Sequence, residues 1–208
     1  MRFSLRKPDN VDQRHGSRQE IRAGGLTMRL FVGIPLAAEV IEELSAVSMR
    51  LQASEDGLRW SAPESWHITL QFLGNTPEYE CIVTRLRELR SPPVPVQLED
   101  LGFFERAGVF FAGVRLTPAL EALQQRVTAA TGLCGFVPET RPYHPHITLA
   151  RSKSKGVKAL RALKGRIHRE PKFSGFVAEE FVLYESVPGA KGSHYEVRER
   201  FPLSAARS

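Results

Sequence analysis

The chain holds 208 residues, 42% of them hydrophobic, with a formal net charge of +6 and two cysteines, enough for one domain or two small lobes around a real core. No stretch approaches the roughly 18 apolar residues of a membrane helix, and the N-terminus lacks the continuous apolar segment of a secretory signal, so no membrane partner and a cytoplasmic location are expected. Cys81 and Cys134 have neither CxxC spacing nor a Cys/His cluster around them, which argues against a disulfide framework or a structural zinc and for two separate cysteines in a reducing compartment.

Residues 1–27 carry Arg2, Arg6, Lys7, Arg14, Arg18 and Arg22 against Asp9, Asp12 and Glu20, a net of +3 (six minus three). They show no hydrophobic period, so a disordered extension is expected. The other +3 permits a polyanionic partner without demanding one.

Order is expected from Met28. The apolar run 29–34 (RLFVGI) reads as a buried strand ended by Pro35. From 37 to 51, Val40, Ile41, Leu44, Val47 and Leu51 recur at helical spacing. A short strand is expected at 58–60 and a loop around Pro63. A longer strand over 66–73 should stop at Gly74-Asn75, a strong turn signal. Pro77 suits the start of a helix through Ile82, Val83, Leu86 and Leu89. Strands follow at 94–101 and 109–116 around a hairpin at Gly108, then a helix opened by Pro118. Beyond it come a basic helix over 155–168, one or two strands within 173–185 and a last strand over 194–203.

Two of these strands share a tetrapeptide: His67-Ile68-Thr69-Leu70 and His146-Ile147-Thr148-Leu149. In an extended chain alternate residues share a face, so each copy shows a His and a Thr on one side and two apolar residues on the other. If the strands approach, two imidazoles and two hydroxyls meet. An unperturbed imidazole titrates near 6.5, so one ring can act as base while the other acts as acid around neutrality. The Thr hydroxyls can donate to phosphate oxygens. That equipment suits a phosphodiester handled without a metal or other cofactor.

The surroundings repeat as well. Phe31-Val-Gly-Ile-Pro-Leu36 matches Phe111-Ala-Gly-Val-Arg-Leu116 at an offset of 80 (111 − 31), and the motif strands are offset by 79 (146 − 67). Strand, helix, loop and His-bearing strand recur in one order, which suggests two similar lobes about a pseudo-twofold axis with both motifs lining one cleft.

Together, MRLFVGIPL at 28–36, LRW at 58–60, the first motif with Gln-Phe-Leu-Gly after it, the second followed by Ala150-Arg151, and the late LYES at 183–186 resemble the 2H phosphoesterase superfamily. Within it, the similarity is to the LigT-like RNA 2',3'-cyclic phosphodiesterases, also described as 2'-5' RNA ligases. The resemblance covers 28 to about 203, and the extension departs from it. It implies a bilobal α+β fold, with two mainly antiparallel sheets and outer helices flanking a central cleft, as a single domain over 28–208. It also implies RNA ends bearing a 2',3'-cyclic phosphate as substrate, tRNA halves among them, opened to a 2'-phosphate. His67 and His146 then form the catalytic pair, Thr69 and Thr148 hold phosphate oxygens, and Arg151 stands near the phosphate.

His146 is read as the base and His67 as the acid. Strict alternation from His146 would turn Arg151 away from the cleft, so its role requires a bulge or strand end there. Phe31 is a candidate platform for a base, with a core role as the competing reading. The run Arg151, Lys153, Lys155, Lys158, Arg161, Lys164, Arg166 and Arg169 is the candidate RNA path, against a solvated helix face. Two rival functions stand beside the enzyme, which is expected to be a monomer. One is a non-catalytic RNA- or nucleotide-binding module using the same cleft; the other is a metal-dependent hydrolase using His144, His146 and His67.

Overall fold

The computed structural model describes residues 27–54, 56–153, 158–168, 171–189 and 193–204; the expected disordered extension lies almost wholly outside them. In chain order, β1 (Met28–Pro35), α1 (Ala38–Leu51) and β2 (Leu58–Trp60) lead to β3 (His67–Thr76), the first motif strand. Next come α2 (Tyr79–Glu88), β4 (Val94–Phe104), β5 (Val109–Val114), α3 (Pro118–Gly132) and β6 (His146–Ser152), the second motif strand. The chain continues through α4 (Lys158–Lys164), β7 (Gly175–Ala178), β8 (Glu180–Val187) and β9 (His194–Pro202). None of the described helices is long and apolar enough to cross a membrane.

Two antiparallel sheets result, one in the order β3-β1-β8-β9 and the other β2-β6-β5-β4-β7. Strand β1 buries Leu30 to Ile34 in succession because it is covered on both faces. The main core takes Leu30, Val32 and Ile34, and a second cluster takes Phe31 with Val182 and Tyr184. One continuous core spans both sheets and includes Phe110, Ile68, Ile147 and Phe181. Helix α3 begins as its sequence dictates, with Pro118 in the first turn and the Thr117 hydroxyl accepting from the Leu120 amide. It is pinned to β3 where the buried Thr131 hydroxyl donates to Gln71 Oε1 at 2.7 Å.

Several expectations are corrected here. Gly74 does not stop the strand: its positive φ of 74° is spent on an irregularity inside β3, which continues to Thr76 with Gly74 opposite Leu30. The basic helix is shorter than its charge pattern suggested, Lys158–Lys164 among the described residues. The two cysteines are not separate. Cys81 on α2 and Cys134 just beyond α3 form a disulfide, their Cα atoms 6.0 Å apart, because the two helices pack side by side and bring together positions 53 residues apart. Spacing along the chain carries no trace of that proximity.

The internal repeat is present, but its first half slides. Each motif His and Thr face β1 or β5 through Pro35↔His67 and Gly33↔Thr69 in one sheet, and Gly113↔His146 and Phe111↔Thr148 in the other. The structural offset between β1 and β5 is therefore 78 (113 − 35), not 80. A slip of two preserves which face each residue occupies, so the sequence match survives with the wrong partners.

Candidate active site

Strands β3 and β6 each put their His and Thr on the cleft side and bury the two isoleucines and Leu70 and Leu149 below. Both histidines are fixed in the same way. His67 Nδ1 donates to the Ser65 carbonyl at 2.7 Å, and His146 Nδ1 donates to the His144 carbonyl at 2.8 Å. A carbonyl only accepts, so Nδ1 carries the proton and Nε2 is left as the reactive nitrogen. Both rings, both threonines and Arg151 line one cleft of about 2400 Å³.

The bulge that Arg151 requires is present. In the β5–β6 ladder, Phe111 pairs with Thr148 but Phe110 pairs with Ala150, so Leu149 is skipped. Leu149 and Ala150 are then both buried and Arg151 returns to the cleft face, exposed. The same irregularity recurs in β3, where Gly33 pairs with Thr69 and Val32 with Gln71. There it returns Phe72 to the corresponding place, 59% exposed.

The electrostatics follow from burial and from this arginine. Loss of water lowers the His67 pKa to about 4, helped by the nearby charges of His146 and Arg151 and opposed by the Ser65 carbonyl. His146 is lowered too, first by burial and then by His144 and Arg151, with the His144 carbonyl opposing. Both rings are therefore neutral in the free protein near pH 7.

The surrounding protein matches known families over most of its length. The family model described as "2'-5' RNA ligase superfamily" covers residues 34–189. The chain belongs to the 2'-5' RNA ligase superfamily. Curated relatives include the RNA 2',3'-cyclic phosphodiesterase of Escherichia coli, 31% identical, with 85% of this chain aligned to 97% of that protein. That of Geobacillus stearothermophilus is 33% identical over 85% of this chain, which spans only 57% of the relative's length. Among solved structures, apo E. coli LigT superposes with a TM-score of 0.72 at 27% identity, covering 86% of this chain and 98% of that one. A LigT complex with 3'-AMP superposes with a TM-score of 0.70 at 26% identity, covering 86% of this chain and 99% of that one.

Measured against this superfamily fold, the remaining sequence candidates sort clearly. Phe31 is 3% exposed, and its ring packs on His67 at 4.6 Å, on Tyr184 at 5.0 Å and edge-on to Tyr195 at 5.0 Å. Those neighbours take the faces that a base would need, so Phe31 forms a floor under His67. Around His146 that place is filled by Phe104 and Phe111, at 5.0 and 5.3 Å. The basic run divides. Only Arg151 of its described members lines the cleft, and Arg166 bonds Asp56 at 3.3 Å, while Lys155 and Arg169 lie outside the described residues. Among the described residues no group of three or more His, Cys, Asp or Glu is placed to hold a metal ion, so the set His144, His146 and His67 has no such grouping.

Sequence reading missed Tyr143, Phe72 as a cleft residue, and the other cleft arginines. The Tyr143 hydroxyl donates to the Thr69 carbonyl at 2.9 Å, tying the loop before β6 to the opposite motif strand. Burial pushes that hydroxyl's pKa well above its ordinary value, so it stays a donor. Phe72 stands five residues after its His, as Arg151 does after the other; the sequence shows that correspondence and its asymmetry without showing which way the ring faces.

Proposed function

We propose that this protein opens 2',3'-cyclic phosphates at RNA ends by acid/base catalysis between His67 and His146, with residues 28–208 as one catalytic unit. The observation that carries the reading is the pair of imidazoles, each locked through Nδ1 to a backbone carbonyl, beside Thr69, Thr148 and Arg151 in one cleft. Relatives named RNA 2',3'-cyclic phosphodiesterase support the reaction class. A relative crystallised with 3'-AMP supports a ribose-linked phosphate as the group held.

The steps balance as follows. Water attacks phosphorus in line while one neutral imidazole takes its proton through Nε2. The bond from phosphorus to the 3' oxygen breaks, and the other imidazole, protonated, gives its proton to that oxygen, leaving a 2'-phosphate. The Thr69 and Thr148 hydroxyls and the Arg151 guanidinium donate to the phosphoryl oxygens as charge builds there. The bound phosphate offsets the positive field of Arg151 and so raises the proton affinity of both rings. The order read from sequence, His146 as base and His67 as acid, is the assignment put to the test. With an RNA 5'-hydroxyl in place of water, the same ring-opening step forms a 2'-5' bond, and its reversal breaks that bond and closes the ring.

The test is incubation with a cyclic-phosphate-ended oligonucleotide, with and without EDTA, and identification of the product. Turnover to the 2'-phosphate unaffected by EDTA supports the enzyme; tight binding without turnover supports the binding-module reading. The acid is identified with a cyclic phosphate whose 3' oxygen is replaced by sulfur, a leaving group that needs no proton. With His67 as the acid, that substrate should rescue His67→Ala more than His146→Ala; the opposite result exchanges the two roles. We take the enzyme to act as a monomer, with tRNA halves among its substrates; light scattering and tRNA-half assays check these.

A further inference from the structure

Arg59 on β2 is the direct cross-strand partner of Arg151 on β6, and Val109, the first residue of β5, is the partner of Arg151 on its other side. Directly opposed residues share a face with Cβ atoms about 5 Å apart, where like charges repel and destabilise the sheet. Arg106 stands in the single turn Glu105–Ala107 that leads into β5. Arg59, Arg106 and Arg151 are all exposed and all line the cleft that holds the two histidines. None of the three is in an ion pair with a carboxylate among the described residues, although Glu64 and Glu105 also line the cleft. Some arginines elsewhere on the surface are paired, as Arg87 is with Glu199 and Arg115 with Glu99; what sets this group apart is the direct opposition of Arg59 and Arg151 across the ladder. Three guanidinium groups on adjoining segments of one groove, none of them ion-paired among the described residues, fit an anion that arrives from outside.

The reacting phosphate needs only one of them. The cleft, at about 2400 Å³, also exceeds the roughly 300–1000 Å³ of a small-molecule pocket. We propose that Arg59 and Arg106 form a second phosphate subsite, which holds the phosphodiester preceding the terminal nucleotide and makes oligonucleotides, rather than cyclic mononucleotides, the preferred substrates. The proposal rests on the cyclic-phosphodiesterase reading and deepens it. A backbone phosphate held by Arg59 and Arg106 also offsets the like-charge opposition of Arg59 and Arg151.

The test compares kcat/KM for a nucleoside 2',3'-cyclic phosphate with that for a trinucleotide bearing the same end. The parent should prefer the trinucleotide. Arg59→Ala/Arg106→Ala should lower the trinucleotide-to-mononucleotide ratio by roughly tenfold or more, the scale of one lost charge-assisted hydrogen bond. A neutral methylphosphonate at the linkage next to the terminal nucleotide should lower the parent's ratio similarly and leave that of the double variant unchanged. The log–log salt slope of trinucleotide binding should fall by about 0.7 for the one phosphate no longer neutralised. Thermal stability should hold or rise, because a like-charge pair has gone; a purely structural role for Arg59 would lower it. An unchanged ratio, or an undiminished methylphosphonate effect in the double variant, overturns the subsite. If the parent turns over neither substrate, the catalytic reading falls, and the salt slope of binding still decides the arginines.

Discussion

The two motif strands carry the same chemistry in different surroundings. Each has a histidine locked through Nδ1, a threonine two residues on, and a skipped leucine that returns the next cleft-facing side chain to the groove. Beyond that the copies part. His67 sits among Phe31, Tyr184 and Tyr195, with Phe72 at its wing. His146 sits beside Phe104, Phe111 and His144, with Arg151 and Arg59 at its wing. The repeat places a near-symmetric pair of imidazoles in one cleft. Divergence at one position per strand, an exposed aromatic against a guanidinium, made the groove directional, with an apolar end suited to a base and a cationic end suited to phosphate.

The comparison breaks first at its common part. Replacing His67 or His146 by Ala should each cost about 10²- to 10⁴-fold in turnover, with the fold retained on circular dichroism; near-normal rates in either variant would end the two-histidine scheme. The next effect is on stability. His67 is held well below its unfolded pKa near 6.5, at about 4. The unfolded chain therefore binds the extra proton between these values, and stability is lost as the pH falls from 6.5 to 4. Acid unfolding should show up to about 3 kcal/mol of this sensitivity removed by His67→Gln. An unchanged acid limb in that variant would mean that His67 is not held neutral by burial.

At the wings, Arg151→Ala should raise KM for the cyclic phosphate by about tenfold or more, as expected for a lost charge-assisted contact; unaltered product binding would withdraw its role. Phe72→Ala should weaken binding of the terminal nucleotide by roughly tenfold if the exposed ring stacks on its base. An abasic cyclic phosphate should show no such loss. Tyr143→Phe deletes one hydrogen bond between the strands at unchanged shape, worth about 1 kcal/mol. It should reduce kcat severalfold with little change in KM, and a change in KM alone would make the contact merely structural.

How much was legible depended on range. The faces of 67–70 and 146–149 followed from period-two alternation, and the helices from their apolar spacing, because these are properties of neighbouring residues. The register of β1 against β3 was not legible. A two-residue slide leaves every face unchanged and gives the chain no local reason to show it, so Phe31 and Phe111 matched in sequence without being equivalent in the structure. Nor was the turn of the chain at Leu149, since a bulge is set by the partner strand's pairing. Arg151 was foreseen to need one and could not be shown to have it.

By itself, then, the sequence determined which residues could do chemistry here: two imidazoles and two hydroxyls, on strand faces that short-range sterics dictate. The tertiary structure decided what stands beside them. Cross-strand pairing brought Arg59 against Arg151, helix packing joined Cys81 to Cys134, and a loop carried Tyr143 to Thr69 across 74 residues. Such neighbours come from long-range packing of the whole core, whose free energy is spread over many side chains and is written in no single segment.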